Sequence, residues 1–271
     1  MGMSGPATAD LDRLRAVVAR RTGLLLDEHF QAAVDELLGR AGLATADDLA
    51  RVLSGPGGRL AWAALIPRLT VSETHFWRDA AQFEALEEHV LPDLVRSAAC
   101  RRRLRVWSAG CATGEEPYSV AMMLLRRPAL AGWELDVVGS DVDREALAGA
   151  RAGLYGPWSF REVPPGIRER FFTAGSGERL QVIEPVRRIV RFAEANLAER
   201  GMPGEWDLVL CRNVLIHMDP AAAAAVADRL AAALRPGAWL ALGHADSSAA
   251  AFPGLEAGGP QLYRRTPGAA A

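Results

Sequence analysis

The chain changes its hydrophobic rhythm near residue 102. Before that point Leu, Val and Ala recur at three- and four-residue spacings in LDRLRAVVARRTGL and FQAAVDELLGRAGL, the repeat of one helical face. TADDLARVL opens with Thr45 as an N-cap, and Asp47 and Asp48 follow in the first turn, where they complement the helix dipole. SGPGG at Ser54–Gly58 is a breaker. With no strand-like run up to about Pro67, residues 1–66 are expected to form a small all-helical N-terminal domain. DAAQFEALEEHVLPDLVRSAACRRR keeps helical spacing, with Pro92 as a kink or junction, so 67–101 reads as a linker and helix.

After it the period shortens. LRVWSA, WELDVVGSD, RIVRFAEAN, EWDLVLCRN and GAWLALGHA are short apolar runs, most of them followed by helix-like stretches such as EEPYSVAMMLLRR, DREALAGARAGL and DPAAAAAVADRLAAALR. Strands alternating with helices predict an α/β domain with a doubly wound, mainly parallel, Rossmann-like sheet over 102–271. The stretch from Gly156 to about Val190 is too long for a simple connection and carries its own strand signals. It is expected to be a small inserted β-subdomain.

Composition narrows the class. Half of the 271 residues are hydrophobic, which suits one sizeable core and a small satellite. The longest apolar runs fall short of the roughly 18 residues a membrane span needs, and the N-terminus lacks a basic-then-apolar signal pattern. A cytoplasmic monomer, without membrane insertion, is the expectation. Cys100, Cys111 and Cys211 are far apart with no metal-ligand spacing, so they read as buried free thiols and no metal is expected. All 31 basic residues are arginine. The absence of lysine excludes a P-loop, a pyridoxal Schiff base and a kinase-type strand lysine. A net charge of −2 without a concentrated basic face argues against nucleic acid, and RRRLR at Arg101–Arg105 reads as a solvated helix end.

The first strand runs into the turn Ser108–Glu116, the usual ligand position in an open α/β sheet. Gly110 and Gly114 let backbone approach a ligand, but their spacing is not the dinucleotide G-x-G-x-x-G. Glu115 and Glu116 at the helix start would repel a pyrophosphate and suit a positively charged ligand such as S-adenosylmethionine; alternatively they only complement the helix dipole. Asp141, after the second strand, can accept from both ribose hydroxyls or else cap the next helix.

SAGCATGEEPYS, the DVD at Asp141–Asp143, the Asn196–Leu197 pair, CRNVLIH and the upstream SETHFWRD resemble, in this order, the CheR-type chemotaxis receptor methyltransferases. That resemblance covers nearly the whole chain and implies a helical domain, a class I methyltransferase domain and an inserted β-subdomain. It implies S-adenosylmethionine as cofactor, S-adenosylhomocysteine as product, and glutamate side chains of chemoreceptors as acceptors. In the site it implies that Ala109, Gly110 and Glu115 contact the cofactor, Asp141 takes the ribose, Asn196 and Leu197 bracket the adenine, and Asn213 and Val214 line the methionine end. Ser72, Thr74 and Arg78 would close over that end, with Arg78 facing the acceptor.

A carboxylate acceptor is ionised at neutral pH and needs no general base, so Arg78 is left to orient it, unless it forms a salt bridge to Asp79 or Glu73. The sequence departs from the family where His217 and Met218 stand in place of an aromatic pair, which makes His217 a candidate for acceptor positioning. The second helix offers only Arg40, so steering toward acidic receptor helices is weak there, and Arg13, Arg15, Arg20 and Arg21 of the first helix are the substitutes. AGSGERLQVIEPVRR is shorter than the loop with which some relatives hold a C-terminal receptor peptide, which implies independence of such a tether. A non-receptor carboxylate acceptor, or a cofactor-binding signalling module without catalysis, are the alternatives.

Overall fold

The computed structural model describes residues 6–26, 29–56, 58–248, 252 and 254–266. Four helices come first: α1 (Pro6–Thr22), α2 (His29–Ala41), α3 (Ala46–Ser54) and α4 (Gly58–Leu69). Leu14 and Val18 of α1, Phe30, Val34 and Leu37 of α2, and Trp62, Leu65 and Ile66 of α4 close one cluster with Leu49 and Leu53 of α3. Each such side chain taken out of water stabilises by about 1.5–3 kcal/mol, which is why the apolar spacing decides the packing. α3 begins on a capping box, with Thr45 Oγ1 accepting from Asp48 N at 3.1 Å and Asp48 Oδ2 accepting from Thr45 N at 3.0 Å. The expected boundary at 66 falls inside α4, which continues through Pro67 to Leu69.

α5 (Ala80–Ala85) and α6 (Leu91–Ser97) form one continuous rod with a widened turn over Leu86–Val90 between them. Leu91 N reaches back five residues to Leu86 O. Pro92, which has no N–H and crowds the preceding turn, accounts for the widening.

The sheet then builds from β1 (Arg103–Ala109), α7 (Glu115–Leu125), β2 (Glu134–Asp141) and α8 (Arg144–Ala152). The insert follows as β3 (Leu154–Tyr155), α9 (Ile167–Phe171), β4 (Phe172–Ala174), β5 (Leu180–Val182) and α10 (Glu184–Arg188). β6 (Val190–Glu194), β7 (Trp206–Cys211), α11 (Pro220–Ala233), β8 (Leu234–Leu242), β9 (Leu255–Gly259) and β10 (Leu262–Arg265) complete the chain. Seven strands stand in the order β6-β2-β1-β7-β8-β10-β9, and the first five are mutually parallel while β10 runs antiparallel to both its neighbours. β7 is buried along its whole length, as expected of a central parallel strand covered on both faces.

The small sheet has the antiparallel order β3-β5-β4 and draws in Leu154 and Tyr155, ahead of the expected start at 156. It is pinned to the linker by Phe76, whose ring meets Tyr155, Phe160 and Phe172 at 4.8, 5.3 and 5.0 Å. Among the described residues no helix is long and apolar enough to cross a membrane.

Two expectations are corrected here. Cys100 is exposed, whereas Cys111 and Cys211 are buried. α6 stops at Ser97, so Cys100 falls on the following turn and not on the apolar helix face. The RRRLR run is not a helix end either: Arg103–Arg105 begins β1, where Leu104 points into the core and Arg105 lies beside Asp136 and over the Trp206 ring at 4.2 Å.

Candidate active site

The carboxyl ends of β1, β2, β6 and β7 open into a cleft. Ser72, Gly110, Asp141, Asn196, Leu197, Asn213, Val214 and His217 all line it, so eight residues singled out in the sequence meet at one place. A narrower cleft adjoins it through Gly110 and Asn213 and carries Thr74 and Arg78. Ala109 and Glu115 line neither cleft; both are buried behind the wall.

The floor is the turn after β1. Gly110 has φ 75°, and a Cβ there would overlap Val214 Cγ2, so only glycine lets the two loops close on each other. Gly110 N and Cys111 N both donate to Ser140 O, at 2.8 and 2.9 Å, which holds the turn against β2. Ala112 adopts φ 46°, an unfavourable left-handed conformation for a residue with a Cβ. Asp141 stabilises it: Asp141 Oδ2 accepts from Ala112 N at 2.8 Å and Oδ1 accepts from Asp143 N at 2.9 Å. A carboxylate offers about four lone-pair sites, so each oxygen retains one for a ligand hydroxyl. Burial raises the Asp141 carboxyl above its usual range, and backbone donors, Asp143 N and Ala112 N foremost, oppose that rise.

The capping role open to Asp141 belongs to Asp143 instead. Asp143 Oδ1 accepts from Glu145 N at 2.8 Å and Ala146 N at 3.1 Å. Its Oδ2 receives Thr70 Oγ1 at 3.4 Å and Ser72 Oγ at 3.5 Å, which ties the linker to the start of α8.

The two glutamates of the turn diverge. Glu115 accepts from Thr113 Oγ1 at 2.6 Å and from Ser159 Oγ at 2.9 Å, and so joins the turn to the insert. Glu116 accepts from Ser108 Oγ at 2.7 Å and from Arg212 Nη1 at 3.2 Å. Only one of the two therefore reaches a cleft: Glu115 is buried behind the wall, and Glu116 lines the narrower cleft paired with the buried guanidinium of Arg212. Asp141 remains the carboxylate on the main cleft.

Burial pushes the Glu115 carboxyl up, against the hydrogen bonds from Thr113 and Ser159. A carboxyl raised on folding contributes most to stability where it is protonated in both states. Its contribution is present below pH 4.5 and is lost as pH rises through the folded value. Glu115→Gln is expected to remove that fall, seen as a flatter dependence of the urea midpoint between about pH 4 and pH 7. An unchanged slope would detach Glu115 from the pH dependence.

Asn196 spends its polar atoms on the chain: Nδ2 donates to Arg21 O at 2.6 Å and Oδ1 accepts from Ala198 N at 3.0 Å. The end of α1 and the segment that follows it are thereby part of the site. Thr22 and Leu24 line the main cleft, Leu24 forms a β-bridge with Met218, Leu25 N donates to His217 O at 2.8 Å, and Asp219 N donates to Gly23 O at 2.8 Å. The His217 side chain is exposed at the cleft.

Arg78 has no carboxylate partner among the described residues, which answers the salt-bridge alternative. Its Nη1 donates to Glu73 O at 3.1 Å, while Glu73 pairs with Arg161 at 3.1 Å. Its own carbonyl accepts from Arg212. Sequence reasoning missed Arg212, Thr22 and Leu24, whose roles arise from packing between distant segments and carry no local signature.

Residues 72–252 match the family described as CheR methyltransferase, SAM binding domain. The chain is similar to the probable chemotaxis protein methyltransferase of Rhizobium etli, 33% identical over 210 residues, spanning 76% of this chain and 78% of that protein. It is 32% identical over 251 residues to the chemotaxis protein methyltransferase of Salmonella typhimurium, spanning 88% of this chain and 84% of the relative. The chemotaxis protein methyltransferase of Escherichia coli gives the same identity over the same shares. With most of its length matched in this way, and the strand-end cleft built as described, the chain belongs to the CheR methyltransferase family.

Proposed function

We propose that this protein transfers a methyl group from S-adenosylmethionine to glutamate side chains of chemoreceptors, forming carboxyl methyl esters. The observation that carries the reading is the pairing of two adjoining clefts. One presents Asp141 with lone pairs to spare; the other presents Arg78 without a carboxylate of its own.

Bound S-adenosylmethionine supplies a methyl group on a positively charged sulfur. Asp141 suits the ribose, Asn196 and Leu197 suit the adenine, and Asn213 and Val214 suit the methionine end, with Ser72 on the linker beside them. The acceptor glutamate has an ordinary pKa near ~4.3 and arrives ionised, so no residue need remove a proton. The chain's task is alignment. The forked guanidinium of Arg78 can hold the acceptor carboxylate in a bidentate contact, with Thr74 on the same wall. His217, exposed on the wall of the main cleft, is the second candidate for placing the acceptor.

Arg78→Ala is expected to lower turnover roughly a hundredfold while changing cofactor affinity less than about threefold, as positioning losses do. Calorimetry beside steady-state rates separates the two, and a collapse of affinity would move Arg78 to cofactor binding. The function itself is tested by transfer of tritium from methyl-labelled S-adenosylmethionine to receptor-containing membranes, followed by mild base. Volatile counts from a receptor-sized band identify a carboxyl methyl ester on a receptor. Retention of the label when the receptor's C-terminal peptide is removed would agree with independence from a tether. Relatedly, the turn between β4 and β5 is short, closed by Gly175 N donating to Arg179 O at 2.9 Å.

One observation favours a second acceptor. Arg40, the sole arginine of α2, lies 3.5 Å from Glu36, so this helix presents little free positive charge to an acidic receptor. A non-receptor carboxylate is the reading that gains if the membranes take up no label.

A further inference from the structure

We infer that Asp246 is a positioning residue for methyl transfer, the group that sets the shape of the turn carrying Asn213, Val214 and His217; this rests on the function proposed above. β7 ends at Cys211, and the chain must cross the top of the sheet before α11 begins at Pro220. It does so with Asn213 at φ 58°, a conformation that a side chain disfavours and that some other group must hold. The N–H groups of the turn have no strand to pair with. Asp246 supplies the partner from 30 or more residues further along the chain.

The carboxylate is fully buried, and both its oxygens are used. Oδ1 accepts from Val214 N at 3.0 Å and Ile216 N at 3.2 Å. Oδ2 accepts from Asn213 N and from Gly243 N, the latter at 3.2 Å. Among the described residues no arginine or histidine forms an ion pair with it. The negative charge is balanced by four backbone dipoles, three of them from the turn. Gly243 belongs to the same arrangement: a Cβ there would overlap Asp246 Oδ2 and lie 2.8 Å from Asn213 N. Room for the carboxylate therefore depends on that glycine.

The consequence reaches the cleft through one contact. Val214, whose N–H Asp246 holds, places its Cγ2 against Gly110 on the opposite floor. The width between the Gly110 turn and the Asn213 turn is thus fixed from behind by Asp246. An amide could not replace the carboxylate without loss. Asparagine has one acceptor oxygen for four donors, and its own NH2 would confront two of them. Glutamate keeps the charge but is one methylene longer in a fully packed site.

The test uses the full-length protein. Wild type, Asp246→Asn, Asp246→Glu and Gly243→Ala are compared by melting temperature, by calorimetric affinity for S-adenosylmethionine, and by turnover at saturating cofactor and acceptor. The expected result is a roughly ten- to hundredfold fall in turnover of folded Asp246→Asn that saturating cofactor does not restore, since displacements near 1 Å have effects of that size. Asp246→Glu and Gly243→Ala should shift turnover in the same direction, although neither removes the charge. A folded Asp246→Asn with wild-type turnover would overturn the inference, whatever its melting temperature. Should the variants fail to fold, hydrogen exchange of the wild-type protein decides. The amides of Val214 and Ile216 should exchange as slowly as those of β7, and fast exchange would overturn the role. A wild-type enzyme that transfers no label would instead sink the methyl-transfer reading itself.

Discussion

Asp141→Ala is expected to weaken S-adenosylmethionine binding roughly ten- to a hundredfold, because a hydrogen bond to a charged group is worth about 1.5–3 kcal/mol. Two effects combine. The variant loses the acceptor for the ribose, and it also leaves Ala112 N and Asp143 N without the partner that holds the strained turn at φ 46°. Asp141→Asn keeps one acceptor oxygen and should fall between. Titration calorimetry reads the affinity directly, and an Asp141→Ala protein that binds as tightly as wild type would remove the ribose assignment. Because the damage includes the turn, affinity for S-adenosylhomocysteine should fall alongside.

A larger loss is expected from Gly110→Ala. The added methyl must occupy the space of Val214 Cγ2, and the residue must keep φ 75°. Overpacking typically costs about 1–3 kcal/mol and a left-handed alanine about 1–2 more, so the loops should separate in preference to accepting both. Cofactor binding is then expected to drop below detection while the sheet still unfolds cooperatively. Val214→Ala in the same protein vacates the contested space and should restore part of the affinity. A Gly110→Ala protein with wild-type binding, or a double variant no better than the single, would show that this contact does not shape the cleft.

Much of the architecture was legible because period and composition change together. Leu14 and Val18, or Trp62 and Ile66, fall on one face at helical spacing, whereas β7 reads as a short apolar run interrupted only by Asp207 and is buried throughout. Thr45 was legible as a cap for the same local reason. Gly110 and Asp141 could be found because the ends of the first two strands are where an open α/β sheet binds ligands. What failed was direction. Glu115 and Glu116 are neighbours in sequence, but the start of α7 turns one toward Ser159 of the insert and the other toward Arg212. No spacing rule states where those partners lie. The same applies to Asn196, whose amide is engaged by Arg21 O, and to Asp246, whose donors lie 30 or more residues away. Charge runs misled as well: the arginines of Arg101–Arg105 span a turn and the start of β1 because Leu104 and Val106 alternate with them into the core.

The strip from Arg21 to Leu25 gives the helical unit a stake in the cofactor's equilibrium. Its carbonyls and amides are joined to Asn196, His217 and Asp219, and Thr22 and Leu24 are themselves cleft wall. Two ligands that depend on one strip obey reciprocity: if a protein docking on the helical unit shifts that strip and alters cofactor affinity by some factor, the cofactor alters docking by the same factor. Methyl donor supply and receptor engagement would then be read as one variable, with the sign set by whether docking seats the strip against Met218 or lifts it away.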